Sequence, residues 1–317
     1  KSEDFGGILD KNPGFLGDEV TELTTDAKTA KEKAWKIYCW VRDNYTCTSH
    51  YGMWMRKTLK ATFNAKNGSV AEINMLLVAM LRKAGLSTYP LLLSTRDNGY
   101  VYQFYPLYTR FNYVLAGVNL DEGFVTLDAS EPLLGFGKLP ARCYNGAART
   151  VSELATPVIL GADSLKEQKF TSVMLGKFED GAIAGSFQQR PTYLESYDIR
   201  EQVKEDDEDS YFKKITKSYT GTLELEHKEI EDLKKLESPV MVKYDFKMEL
   251  GNDDVLYINP LLGEAHKDNP FKSMERKFPV EMSSVSDELY SFNMEVPEGY
   301  VVDELPRPAI ANYNVNE

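Results

Sequence analysis

The stretch from Ser69 to Gly85 constrains the fold most, because the sequence marks a helix at both of its ends. Ser69 is a good N-cap, and Glu72 three residues later completes a capping box. Apolar residues then recur at helical spacing, at Ile73, Leu76, Leu77, Met80, Leu81 and Ala84. Gly85 follows two basic residues and is placed to end the helix. The sequence therefore predicts a buried core helix over 69–84, which other layers must cover.

The rest of the first half is predicted to mix helix and strand. A helix within 26–45 and strands at 89–94, 111–118 and 124–128 are expected from periodicity. If a two-residue turn joins the last two strands, Leu120 pairs with Gly123. Tyr113 then becomes a diagonal neighbour of Asp128 on the same face of the sheet.

Strand patterns dominate the second half of the chain. Residues 150–168 lack a clear period and are predicted to be a connector. Beyond them the sequence predicts a hairpin of 171–178 with 182–187, a helix at 206–217 whose N-terminus carries an acidic run, and strands at 240–250, 255–258 and 290–296. A turn is expected at 251–254. We predict two domains, 1–158 and 159–317, the second an antiparallel β domain with one buried face.

Composition narrows the range of functions. The 317 residues carry a formal net charge of −12, which argues against a nucleic-acid partner. Charged residues interrupt every apolar run well short of the ~18 residues that a membrane span needs, so no transmembrane segment is predicted. Three cysteines and three scattered histidines match neither a disulfide framework nor a metal pattern, and no cofactor motif is present. No cofactor or metal is therefore predicted.

Four motifs of the first half carry a resemblance to a known family. They are G-S-V-A-E-I-N at 68–74, L-R-K-A-G-L at 81–86, R-F-N-Y-V at 110–114 and T-L-D-A at 126–129. In their order and spacing they resemble the transglutaminase-like superfamily, whose fold is related to that of the papain-type cysteine hydrolases. The resemblance implies an α+β protein with a papain/transglutaminase-like core domain.

Four motifs of the second half carry a narrower resemblance, namely Y-I-N-P-L-L at 257–262, N-P-F at 269–271, R-K-F-P-V at 276–280 and V-P-E-G-Y at 296–300. With them the chain resembles bacterial envelope proteins, typical of Bacteroidetes, in which such a domain precedes a β-rich domain. This resemblance implies a periplasmic or extracellular location, and a further β-rich domain ahead of residue 1.

The catalytic pattern of the family is incomplete in this chain. Active members carry G-x-C-x-[DE] at the helix start, a His on the following strand pair and an Asp one strand later. Here Gly68 and Glu72 match, but the nucleophile position is Val70, the base position is Tyr113, and only Asp128 remains. Valine has no lone pair with which to attack a carbonyl, and tyrosine with a pKa of ~10 is a poor base. The resemblance therefore implies that the family's reaction is absent.

The alternative hypothesis is an active cysteine amidase, transamidase or protease whose nucleophile lies at another position. Cys47 with His50 is the best couple for that reading, although a loop thiol and a surface histidine are the commoner outcome. Ser69 is expected to serve as a helix cap instead. The remaining cysteines and histidines are expected to be packing or surface residues, namely Cys39, Cys143, His227 and His266.

An aromatic-rich region suggests binding. Tyrosine and phenylalanine crowd between the strands, at Tyr100, Tyr102, Phe104, Tyr105, Tyr108, Phe111 and Tyr113. The candidate groove residues are Tyr51, Trp54, Tyr105, Tyr108 and Glu72. Such side chains suit sugar rings or extended peptides. The leading hypothesis is an inactive transglutaminase-like binding or scaffolding module; a carbohydrate- or peptidoglycan-binding protein is a further alternative, and the partner itself is unknown.

Overall fold

The structure is a computed structural model whose described residues form two five-stranded β-sheets, one short two-stranded sheet, and helices in both halves of the chain. It describes all residues except 1–5, 10–12, 106, 180, 220–221, 251–253, 263, 265–271, 273, 276, 278–279 and 311–317. The α-helices in this part are α1 Gly17–Thr24, α2 Ala30–Asn44, α3 Leu59–Ala65, α4 Val70–Lys83, α5 Tyr193–Glu205 and α6 Glu208–Ser218. The strands are β1 Thr46–Ser49, β2 Asn67–Ser69, β3 Thr88–Leu93, β4 Tyr113–Leu120, β5 Gly123–Leu127, β6 Gly146–Thr150, β7 Pro157–Leu160, β8 Lys166–Glu179, β9 Ala182–Arg190, β10 Leu223–Glu231, β11 Met241–Glu249 and β12 Val285–Met294.

The helix α4 is the buried centre of the first half, which confirms the prediction for 69–84. Its N-terminus carries the expected capping box, in which the Glu72 carboxylate accepts from the Ser69 backbone N–H at 2.8 Å. Its C-terminus ends in a left-handed Gly85, whose N–H donates to the Arg82 carbonyl at 2.9 Å. Its first twelve residues are all buried, so the helix lies between other layers on every side.

The first sheet lies beside α4 and has the strand order β5-β4-β3-β6-β7. Leu120 pairs with Gly123 in the β4–β5 hairpin, which confirms the predicted register. Residues of α4 and β4, among them Met80 and Val114, share one apolar core. This packing brings the N-terminal turn of α4 towards the start of β4.

The prediction of a connector at 150–168 is wrong at 166–168, where β8 begins, and at the four residues 157–160. These four residues form β7, which pairs antiparallel with β6 and places Ala147 opposite Ile159. Only Leu160 of β7 is buried. An edge strand of this length with one buried side chain produces no alternation that the sequence could reveal.

The second sheet has the order β10-β11-β9-β8-β12 and is antiparallel except for one edge. The predicted 171–178 and 182–187 hairpin is confirmed by β8 and β9. The strand β12 pairs parallel with β8, so that Val285 lies opposite Lys166. The aromatic rings of Phe187 and Tyr244 stack at 4.7 Å between centroids in the core of this half.

The remaining predictions for the second half have different outcomes. The predicted strand at 255–258 is absent, because these residues form a bend and irregular backbone. The predicted acidic helix is confirmed as α6, with Asp207 as its N-cap. The helix α5 was not predicted, and it lies in the highly charged stretch before α6. The expected turn at 251–254 falls largely outside the described residues.

Among the described residues, no helix is both long and apolar enough to cross a membrane.

Candidate functional site

The three positions that the resemblance assigns to catalysis meet at the N-terminus of α4. Val70 is the first residue of the helix and is fully buried. It shares an apolar cluster with the Tyr113 ring, Leu91 and Cys143. Tyr113 begins β4, and Asp128 follows directly after β5. The side chain at the head of the helix is therefore a packed hydrocarbon.

Asp128 is buried and its carboxylate is bonded to protein donors on both oxygens. The Tyr113 hydroxyl donates to Oδ2 at 2.7 Å, as expected of diagonal neighbours on the hairpin. The Asn74 side chain donates to Oδ1 at 2.9 Å, and Ser130 donates to the same oxygen from its backbone N–H and its hydroxyl at 3.0 and 2.6 Å. These bonds satisfy the carboxylate with the chain's own groups.

Burial keeps Tyr113 neutral. Removal from water raises the pKa of the Tyr113 hydroxyl well above its usual 10, and the nearby Asp128 carboxylate raises it further. A phenol that stays protonated and donates to Asp128 cannot also accept a proton as a general base. The Tyr113–Asp128 pair is therefore a structural hydrogen bond.

A charged network lies over this pair and joins the two halves of the chain. The Arg142 guanidinium donates to the Tyr113 hydroxyl at 3.0 Å and forms an ion pair with the buried Glu131 carboxylate. Glu131 also accepts from the hydroxyl of Tyr197, on α5, at 2.9 Å. Burial lowers the pKa of Arg142, but Tyr113 and Glu131 outweigh it and raise the pKa overall. Arg142 therefore stays positively charged at neutral pH, and its guanidinium lies over the Tyr113 ring.

The roles of Arg142, Glu131 and Tyr197 were not predicted from the sequence. Their partners lie up to 66 residues away along the chain, and no periodic pattern relates them. One signal could have pointed to Glu131, because it lies three residues after Asp128 at the end of a strand.

Cys47 lies beside the N-terminus of α4, on β1, where it pairs with Gly68 of β2. It lines a cavity of about 440 Å³ together with His50, Ser130 and Lys204. Burial raises the pKa of its thiol to about 11, and the thiol donates to the Ser49 carbonyl at 3.4 Å. The thiol is therefore protonated at neutral pH, the form that does not attack carbonyl carbon.

The His50 ring faces the Glu131 carboxylate. Its Nε2 atom lies 3.4 Å from Glu131 Oε1 and 3.5 Å from the Ser130 carbonyl oxygen. The structure brings Cys47 and His50 to one cavity, as the displaced-nucleophile hypothesis requires. Within this cavity the His50 imidazole lies against the Glu131 carboxylate, whereas the Cys47 thiol donates to the Ser49 carbonyl.

The other reactive residues have structural surroundings. Ser69 accepts from the Glu72 N–H at 3.4 Å as the cap of α4. Cys39 is half-buried against the core of the first half, and Cys143 is buried. Burial raises the thiol pKa at both positions. His227 is exposed and pairs with Asp245 at 2.9 Å, as expected of a surface residue, whereas His266 lies outside the described residues. Within the described ranges, no cluster of His, Cys, Asp and Glu could hold a metal ion.

Four of the five candidate groove residues are exposed. The exposed fractions of Tyr51, Trp54, Tyr105 and Tyr108 are 63, 47, 81 and 67%. Glu72 is instead buried, and its carboxylate accepts from the Arg56 and Lys57 N–H groups at 2.8 and 2.7 Å as well as from Ser69. Burial acts to raise the pKa of Glu72, but these three N–H donors outweigh it and lower the pKa overall. Glu72 therefore holds the helix start in place and is not an exposed groove residue as predicted.

The remaining aromatic residues of the crowded region divide between surface and core. Tyr100, Tyr102 and Phe104 are more than half exposed, whereas Phe111 and Tyr113 are buried. The Tyr51 hydroxyl donates to the Asn98 side chain at 3.2 Å, which joins the segment before α3 to the segment after β3.

Two family models match parts of the chain. The model of the transglutaminase-like superfamily matches residues 18–129, and that of a domain of unknown function with a solved structure matches residues 254–315. No protein of curated function matches the chain. The crystal structure of a candidate protease from Parabacteroides distasonis is similar, with 13% identity and a TM-score of 0.43. The similarity covers 77% of this chain and only 51% of that one. Residues 18–129 are therefore a domain of the transglutaminase-like superfamily, followed by a β-rich second half.

Proposed function

We propose that the transglutaminase-like domain is catalytically inactive and acts as a binding or scaffolding module in a bacterial cell envelope. The single observation that carries the proposal is Val70, a fully buried aliphatic side chain at the first residue of α4. In active relatives the helix dipole and the free N–H groups stabilise a thiolate at this position. A valine can take no part in acyl transfer.

The surroundings of Val70 support the same proposal. A Cys–His–Asp mechanism needs a base that accepts the thiol proton and a carboxylate that orients this base. The carboxylate of Asp128 is bonded to Tyr113, Asn74 and Ser130, and Arg142 lies over the Tyr113 ring. A substrate carbonyl would meet neither a nucleophile nor a free base at this place.

A displaced nucleophile at Cys47 is the second candidate, and the position of this residue beside Gly68 favours it. An active Cys47 would need an imidazole within hydrogen-bond reach and a lowered pKa. Against it, the Cys47 pKa is raised to about 11 and the His50 ring lies against Glu131. We therefore place this candidate second.

Turnover assays on the purified chain separate these two candidates. We expect no hydrolysis or transamidation of peptide and glutamine-amide substrates above background, with or without Cys47→Ala. The matched control is Cys39→Ala, which removes a thiol with an equally raised pKa on α2. Turnover in the wild type that is lost in Cys47→Ala and retained in Cys39→Ala would overturn the proposal of inactivity.

Exposed aromatic side chains support a binding role for the domain. Tyr51, Trp54, Tyr105 and Tyr108 present flat apolar faces with polar edges, a combination that suits sugar rings and extended peptides. The envelope location comes from the family resemblance, and it would bring this surface close to peptidoglycan and exported peptides.

Binding measurements with peptidoglycan fragments and a glycan array test this part of the proposal. If the aromatic surface binds glycan, Trp54→Ala and Tyr108→Ala should each lower affinity, since stacking on each ring is lost. Tyr257→Ala is the control, because Tyr257 is 90% exposed and lies in the second half. If no glycan binds, the hypothesis of a glycan ligand is wrong, and scaffolding or peptide binding remains as the proposed role.

A further inference from the structure

A second cavity lies between the two halves of the chain, and neither Val70 nor Asp128 lines it. Its volume is about 450 Å³, within the size range of small-molecule sites. One wall comes from residues 137–139 and Tyr144, and the other from residues 164–168 and 190–194. Cavities at the junction of two domains are a preferred place for ligands.

Three basic side chains line this cavity without an acidic partner. They are Lys138, Lys166 and Arg190, and in the described part of the chain none of them lies within 4 Å of a carboxylate. Neighbouring Lys169 shows the contrast, because it pairs with Glu195 at 3.3 Å and with Glu264 at 3.0 Å. In a chain with twelve more acidic than basic residues, three such cations at one cavity are a local excess of positive charge.

The one carboxylate that lines the cavity is already bound. Glu167 is buried, and its Oε2 atom accepts from the Leu194 N–H in the first turn of α5 at 3.1 Å. The rings of Tyr144 and Tyr193 add flat walls, and the Lys138 ammonium lies 4.8 Å from the centroid of the Tyr193 ring. The cavity thus combines aromatic surface with basic side chains that have no carboxylate partner among the described residues.

We propose that this cavity binds a small organic anion that carries two or more carboxylate or phosphate groups. Lys138, Lys166 and Arg190 would contact the anionic groups, and Tyr144 and Tyr193 would pack against the body of the ligand. The proposal is independent of the proposed function, because the site contains none of Val70, Tyr113 and Asp128.

Calorimetric titration of the whole chain at low ionic strength tests the proposal, with citrate and inorganic phosphate as the anionic probes and glucose as the neutral one. We expect citrate or phosphate to bind and glucose not to bind, and the stronger anion identifies the preferred group. The double variant Lys166→Gln/Arg190→Gln should weaken binding roughly tenfold or more, since two of the three cationic contacts with the anion are lost. Both side chains are exposed, so this variant should fold normally.

Two further variants make the test specific. Glu167→Gln should strengthen anion binding, because it removes a like charge while its amide oxygen can still accept from Leu194. Lys60→Gln/Lys217→Gln removes two exposed lysines elsewhere and should leave the affinity unchanged. The proposal fails if neither anion binds, or if this control weakens binding as much as Lys166→Gln/Arg190→Gln does.

Discussion

At the scale of single residues, the domain keeps a carboxylate of its family's motif and uses it to hold the backbone. Glu72 accepts from three backbone N–H groups at 2.7–2.8 Å, two of them in the segment before α3 and one at the cap of α4. Its lowered pKa reflects these donors, which favour the charged form. Glu72 therefore stabilises the arrangement around the helix start although no reaction is expected there.

Glu72→Gln should lower the free energy of unfolding by roughly 1–3 kcal/mol at pH 7, since a charged acceptor is lost from several N–H donors. The folded-state pKa lies below the usual 4.5, so this stabilisation is complete above pH 4.5 and is lost as the pH falls through the lowered value. Urea unfolding at pH 7 and pH 3 checks this.

Exposed Glu153→Gln is the control for Glu72→Gln and should have little effect at either pH. A destabilisation by Glu72→Gln that is as large at pH 3 as at pH 7 would contradict the charge-dependent role of Glu72.

At the scale of elements, one buried amide connects α4 to the sheet. The Asn74 side chain donates to Asp128 Oδ1 and to the Val114 carbonyl, both at 2.9 Å, and accepts from the Ala129 N–H at 2.9 Å. The Asn74 side chain is fully buried, so these three hydrogen bonds are shielded from water. The contact fixes the helix relative to β4 and to the end of β5.

Asn74→Ala should lower the free energy of unfolding by roughly 2–4 kcal/mol, because the Ala129 N–H and the Asp128 carboxylate each lose a buried partner. Asn44→Ala is the matched control, since Asn44 lies at the exposed end of α2 and its side chain donates to the Trp40 carbonyl. Its effect should stay within about 0.5 kcal/mol. Chemical denaturation of both variants gives the comparison, and equal effects would show that the Asn74 bonds contribute little.

Elements with local signals were predictable from the sequence. The ends of α4 follow from Ser69, Glu72 and Gly85, which act within a few residues. The β4–β5 hairpin, and with it the Tyr113–Asp128 bond, follows from the length of its turn. In both cases the residues that decide the structure are neighbours in the chain.

Contacts and strand pairings that depend on distant partners were not predictable. The strand β7 forms because β6 offers an edge, and β12 pairs with β8 although over 100 residues separate Val285 from Lys166. The Arg142–Glu131–Tyr197 network likewise depends on how α5 lies against the first half. Periodicity within a segment carries no information about these contacts.

At the scale of the whole molecule, the two halves meet closely around Gly135. The Gly135 N–H donates to the Tyr193 hydroxyl at 2.8 Å, and this hydroxyl donates to the Leu236 carbonyl at 2.8 Å. A Cβ atom at Gly135 would lie 2.4 Å from the Leu236 carbonyl oxygen. The Trp35 side chain donates to Glu237 at 3.2 Å in the same region. We infer that the halves stabilise each other through this contact.

Gly135→Ala should push the halves apart and lower stability by roughly 1–3 kcal/mol, since the added methyl group meets backbone that cannot rotate away. All three tryptophans lie in the first half, so their fluorescence reports that half while far-ultraviolet circular dichroism reports both. We expect coincident transitions in the wild type and separated transitions in Gly135→Ala.

The control for Gly135→Ala is Gly14→Ala, because a Cβ atom at Gly14 meets nothing within 4 Å. It should leave the two transitions coincident. Coincident transitions in Gly135→Ala at unchanged stability would contradict the coupling of the two halves.

The central claim, that this domain has no reactive nucleophile, is tested most directly by the pH dependence of cysteine alkylation, followed for each of the three thiols by mass spectrometry. The raised pKa of Cys47, about 11, predicts a rate that climbs about tenfold per pH unit from pH 6 to 9.5 and stays below that of a free thiol with a pKa of ~8.5. Rapid alkylation of Cys47 that is already at its plateau at pH 6–7 would reveal a stabilised thiolate and contradict the account.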